Sequence, residues 1–202
     1  NRQNIKPYLL SSARRATSAE EAEELFKTGL TLYNTAFTKV GAEQEAMLKS
    51  AIVFLRDLEH RCQDQPQWIA LALILVADSH RALGEIDQAI TAYQHMIESF
   101  PQLEKYVRQA RVSIINLLLQ KEDNLPQVEY ALQQFKERYP DSNELAEAVF
   151  AYIEKAQSTS PEKTMIWCKH IINQFPDPSM ERNKAMRLAQ AVEKKLQEST
   201  YI

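Results

Sequence analysis

Apolar residues recur every three or four positions along almost the whole chain, the spacing that gives a helix one buried face. The first clear stripe runs through Ala22, Leu25, Phe26, Gly29, Leu30, Tyr33, Ala36, Phe37 and Val40. Ser18 stands before it with Glu21 three residues on, a hydroxyl to cap a free N–H and a carboxylate to reach back. A second helix is predicted from about Glu43 to Cys62, with Met47, Leu48, Ala51, Ile52, Leu55 and Leu58 on one side, and Gly41 separates the two. Pro66 opens a third, because a proline's missing N–H costs nothing in a first turn; Gly84 closes it.

The alternation continues to the carboxy terminus. Ile86, Ala89, Ile90, Tyr93, Met96, Ile97 and Phe100 share a face up to Pro101, which cannot extend the hydrogen-bond ladder. Helices are predicted over 103–120, 126–138, 143–157 and 161–174, with Asp141 or Ser142 and Ser160 as caps. The Lys121–Asn124 segment breaks the first of these from the second. A last helix follows Pro178 to about Glu198, with Met186, Ala189, Val192 and Leu196 as its stripe. No strand pattern and no long linker intervene. The expected fold is all-α, a row of antiparallel helix pairs at about 18–62, 66–101, 103–140 and 143–176. A capping helix at 178–198 ends the row, and an extension of residues 1–17 precedes it.

Composition narrows this without redirecting it. The chain has 202 residues but only 3 glycines, too few for hairpins or glycine-rich nucleotide loops. A formal charge of −3 supplies no basic field for nucleic acid. The longest apolar run, Trp68 to Ala77, is ten residues, half of a membrane span, and reads as a buried helix. The first residues, Asn1-Arg2-Gln3-Asn4, carry no initiator Met and no signal h-region, as expected of a trimmed chain whose targeting segment would be invisible. Cys62 and Cys168 fall in apolar helical patterns and read as buried thiols.

Three helices end in an aromatic–proline pair: Phe100-Pro101, Tyr139-Pro140 and Phe175-Pro176. From Pro101 to Pro140 is 39 residues, from Pro140 to Pro176 is 36, and Pro66 lies 35 before Pro101. A period in the mid-thirties filled by two helices is the mark of a stacked array, since one hairpin cannot bury both of its apolar sides. Within 70–101, Leu83-Gly84-Glu85-Ile86-Asp87-Gln88-Ala89-Ile90 resembles the tetratricopeptide repeat's Leu-Gly-x-Tyr-x-x-Ala-Ile. Ala77 and Ala89 fall at its small positions, Tyr93 at its large one and Pro101 at its terminal proline. The resemblance implies a right-handed superhelix of helix pairs.

Residues 109–140 and 145–176 follow the pattern loosely: Asn116 and Tyr152 replace the small residue of the first helix, Val128 and Thr164 that of the second. The aromatic–proline endings resemble repeats of bacterial cell-envelope assembly proteins, which implies an envelope or periplasmic setting. In the family the first helix of each pair lines a concave groove. Its positions fall here on Phe26, Leu30, Tyr33, Leu71, Ile74, Asp78, Arg81, Ser113, Leu117, Val149 and Ile153, with Gln120 beside them. Members that clamp a carboxy-terminal carboxylate use Lys, Arg and Asn where this chain has Ile74, Ser113, Leu117, Val149 and Ile153. The groove implied is apolar, suited to an amphipathic helix, unless the chain's own terminal segments fill it.

No catalytic constellation competes. His60 with Cys62 and Cys168 with His170 are two apart, whereas metal ligands on one helix face need three or four. His80 and His95 sit in helices as solvated or capping residues. Glu20-Glu21 and Glu23-Glu24 suit the first turns of a helix, where they complement its dipole. Arg14-Arg15 and Lys194-Lys195 read as solvated helix ends. The expectation is a scaffold without cofactor or metal that docks another protein or peptide segment. Two alternatives stay open: a self-assembling subunit, or the interaction module of a larger enzyme.

Overall fold

The computed structural model describes residues 18–122 and 124–200; the predicted extension 1–17, with Arg14-Arg15, lies outside them. Among the described residues there are nine helices and no strand. They are α1 (Ala19–Ala36), α2 (Ala42–Arg61), α3 (Pro66–Ala82), α4 (Ile86–Ser99), α5 (Glu104–Gln120), α6 (Leu125–Arg138), α7 (Asn143–Ala156), α8 (Pro161–Gln174) and α9 (Met180–Thr200). The odd-numbered helices up to α7 open a pair and the even-numbered ones close it.

Local chemistry sets the boundaries. The Ser18 hydroxyl accepts the Glu21 amide at 3.2 Å, and the Ser142 hydroxyl accepts the Leu145 amide at the same distance. Ser142, not Asp141, is therefore the cap of α7, while Ser160 precedes α8 without a side-chain cap bond. Pro66, Pro126 and Pro161 sit in first turns, where no amide is missed. Gly84 takes φ +75 after α3, a left-handed turn that a Cβ would strain.

The first helix is shorter than its apolar stripe implies. It stops at Ala36, where the Phe37 and Thr38 amides turn to Asn34 and Thr35, a tighter three-residue spacing. Phe37 and Val40 are exposed as a result.

Contacts divide the chain into two compact units, Asn1–Ala110 and Arg111–Ile202, with the boundary inside α5. In the first unit α1 packs on α2, α2 on α3, α3 on α4, and α1 also on α3. Gly29 marks a close approach of α1 to α2: a Cβ there would stand 2.4 Å from Leu55 Cδ2. Ala77 and Ala89, the small positions of the sequence pattern, are fully buried in α3 and α4, which pack on each other. In the second unit α6 packs on α7, α7 on α8 and α8 on α9.

The closing helices keep the spacing of the aromatic–proline pairs. Ala89, Val128 and Thr164 are fully buried, as are Met96, Phe135 and Ile171, whose carbonyls accept the amides of Phe100, Tyr139 and Phe175 at 3.0, 2.9 and 3.1 Å. The opening helices keep a different interval. Ala72, Ala110 and Ala148 stand 38 residues apart and are buried, and so do Ala77, Ile115 and Ile153. The reason is the connection. Leu83–Glu85 is three residues long, whereas 121–124 is four, and α7 stops at Ala156, the residue that corresponds to His80.

Candidate functional site

That one-residue offset decides which side chains of the opening helices face outward. One residue along a helix is a rotation of about 100°, enough to carry a position from surface to core. Carried forward at 38-residue intervals, Leu71, Ile74 and Asp78 correspond to Gln109, Val112 and Asn116, and then to Glu147, Phe150 and Glu154. The aromatic–proline spacing assigns Leu117, Val149 and Ile153 to the groove instead. All three are 0% exposed and belong to the core, so the expectation for them is corrected. Asn116, expected at a small core position, is exposed. Ser113 is half-buried.

In the first unit the outward positions do meet. The Phe26 and Trp68 rings lie 5.3 Å apart, joining α1 to α3. Leu30, Leu71 and Ile74 are half-buried. Asp78 Oδ1 accepts the Tyr93 hydroxyl at 2.8 Å and Arg81 Nη2 at 2.9 Å. Burial, with the Asp78 charge behind it, pushes the Tyr33 phenol up and puts Tyr33 within the field of the same carboxylate. Asp78 is thus held by its own neighbours, and Tyr93, read from sequence only as a large core residue, supplies one of them.

In the second unit the outward sides of α7 and α9 form an open cleft of about 540 Å³. Asn143, Ala146, Glu147, Phe150, Ala151 and Glu154 line it from α7, and Met180, Glu181 and Lys184 from α9. Phe150 is 8% exposed and makes the floor; Lys184 Nζ lies 4.2 Å from its ring centroid, a cation–π contact. Met180 is 79% exposed at the rim. Glu147, Glu154 and Glu181 enter no ion pair among the described residues. The signal that would have found the α7 residues in the sequence is the alanine series Ala72, Ala110, Ala148.

Behind the cleft, Tyr152 donates to Glu129 Oε1 at 2.7 Å, and Lys163 Nζ reaches Oε2 at 2.5 Å. Burial first, then the bond to Glu129, pushes the Tyr152 phenol up.

The other groups singled out by sequence have structural partners. His80 is buried, with Nδ1 2.6 Å from Glu85 Oε2 and Nε2 3.4 Å from Arg56 Nη2. A guanidinium only donates, so the ring proton belongs on Nδ1. His95 Nε2 meets Glu59 at 2.8 Å, and His170 Nε2 donates to the Pro140 carbonyl at 3.0 Å. Cys62 and Cys168 are both buried, and burial pushes the Cys168 thiol up to about 11. Among the described residues no three His, Cys, Asp or Glu gather as metal ligands, and no helix is long and apolar enough to cross a membrane.

Against known proteins, residues 71–102 match the tetratricopeptide repeat. The match takes in α3 from Leu71 onward, the Leu83–Ile90 motif and α4. No curated protein matches the chain.

Proposed function

We propose that this chain, a tetratricopeptide-repeat protein by residues 71–102, is a non-catalytic docking module that takes up a segment of another protein. Tetratricopeptide repeats generally mediate protein–protein interaction. The observation that carries the reading is the cleft between α7 and α9, whose floor of Ala146, Phe150 and Ala151 lies on the outward side of an opening helix. Binding there is driven by apolar burial, worth about 25 cal/mol per Å² before ordering costs. Phe26, Leu30, Leu71 and Ile74 are the corresponding apolar surface of the first unit. The aromatic–proline endings favour a bacterial envelope complex as the setting.

Changing Ala151 and Met180 together to Gln makes the cleft polar without touching the core. The expected result is loss of partner capture from the native lysate with an unchanged melting temperature. Undiminished capture by that variant would remove the α7–α9 cleft from the account. Self-assembly is the second reading, favoured by Val53, Tyr130 and Ile166, which are exposed on closing helices. A monomer's mass in sedimentation at every concentration would sink it.

A further inference from the structure

Resting on the docking reading, we infer that the occupant of the α7–α9 cleft is a basic amphipathic segment of a partner protein, apolar on one face and carrying Lys or Arg on its flanks. The cleft pairs an apolar floor with an acidic rim. Three carboxylates line it, Glu147, Glu154 and Glu181, against one ammonium, Lys184, which leaves the lining at −2. The single cation is already committed, because Lys184 lies over the Phe150 ring. The carboxylates are held by no ion pair within the described chain, unlike Asp78 in the first unit, which Tyr93 and Arg81 both engage.

Shape points to a chain segment and not to a small cation. The lining residues of α7 run from Asn143 to Glu154, about 16 Å of helix at 1.5 Å per residue, roughly three turns. Two of the rim carboxylates, Glu147 and Glu154, are seven residues apart on that helix, so they stand near the same edge about two turns apart. A segment laid along α7 with apolar anchors toward Phe150 and Ala151 would bring its basic flank past both. An acidic segment would meet uncompensated repulsion, so the rim selects as well as attracts.

The test uses the full chain and three labelled synthetic peptides with identical Leu and Met anchors at helical spacing. Their polar positions carry Lys and Gln, Gln alone, or Glu and Gln. In fluorescence polarisation at low ionic strength the Lys peptide should bind at least about tenfold more tightly than the Gln peptide, and the Glu peptide more weakly still. Added salt should shrink the difference, and Glu147→Lys with Glu154→Lys should abolish it while circular dichroism is unchanged. Equal binding of the Lys and Gln peptides overturns the basic occupant but leaves an apolar docking cleft standing. Binding by none of the three overturns the docking reading as well. A fourth probe, a peptide of residues 1–17, carries Arg2, Lys6, Arg14 and Arg15 with Ile5, Tyr8, Leu9 and Leu10 and no acid. If it binds the cleft more tightly than the Lys peptide, the occupant is this chain's own amino-terminal segment, from the same or a second copy, and the outside partner is overturned.

Discussion

Both units use a tyrosine–carboxylate bond to fasten an opening helix to a closing one, but they build it in opposite senses. In the first, the tyrosine is on the closing helix α4 and the acid on the opening helix α3: Tyr93 to Asp78 at 2.8 Å. In the second, the tyrosine is on the opening helix α7 and the acid on the closing helix α6: Tyr152 to Glu129 at 2.7 Å. The consequence falls on the outward surface. Asp78 spends its charge inside the first unit, whereas Glu154, the residue that corresponds to it, is left exposed at the rim of a cleft. The same backbone position is a structural tie in one repeat and a surface charge in another. The first bond lies within one pair, α3 with α4, whereas the second joins the closing helix of one pair to the opening helix of the next.

The largest expected effect separates core from rim within α7. Ile153→Glu should cost about 3–5 kcal/mol in urea unfolding, because it buries an unpaired charge. Glu154→Ala, one residue on, should stay within about 0.5 kcal/mol. The reverse ranking would return Ile153 to the groove and undo the 38-residue register.

Next come the two ties. Tyr152→Phe takes one of two donors from a half-buried Glu129 carboxylate, and a hydrogen bond to a charged group is worth about 1.5–3 kcal/mol. Tyr93→Phe should cost a similar amount, since Arg81 still holds Asp78 at 2.9 Å just as Lys163 still holds Glu129 at 2.5 Å. Losses that differ severalfold in thermal unfolding would show that the two ties are not equivalent.

A gain is expected at Thr164. Its hydroxyl is buried with no partner among the described residues, at the position where the neighbouring pairs carry Ala89 and Val128. Thr164→Val removes an unsatisfied polar group at nearly constant shape and should stabilise by about 1 kcal/mol. A loss of stability would mean that the hydroxyl has a partner after all.

The smallest effect is pH dependence from the second unit. Burial lowers His170 from its usual 6.5, against the bond to Pro140 and with a further push from the Lys136 charge. The unfolded chain therefore takes up this proton first, so the stability His170 contributes is complete above about 6.5 and falls as pH drops through and below it. His170→Gln should flatten that part of the curve, and an unchanged slope would assign the dependence elsewhere.

Most of the fold is legible in the sequence because its signals are local. Apolar spacing, Pro66, Pro101, Pro140, Pro176 and Gly84 each act within one turn of a helix. They locate every pair, and residues 71–102 match the tetratricopeptide repeat as the Leu83–Ile90 motif implies. The outward face was harder to read because it depends on phase. The aromatic–proline pairs fix the closing helices, and transferring their spacing to the opening helices ignores one residue gained or lost between them. That residue moves the outward face from Val149 and Ile153 to Glu147, Phe150 and Glu154. The α9 half of the cleft carries no repeat signal at all, since Met180, Glu181 and Lys184 follow the last aromatic–proline pair.

Thiol labelling tests this register most directly, because Cys62 and Cys168 are buried and give a low background. Single cysteines replace Glu147, Val149, Ile153 and Glu154 in turn, and reaction with a maleimide is followed in native buffer. The account predicts rapid labelling at 147 and 154, slowed when the Lys-bearing peptide is present. It predicts protection at 149 and 153 that is lost only in denaturant. Native labelling at 149 and 153 as fast as at 147 and 154 would contradict it.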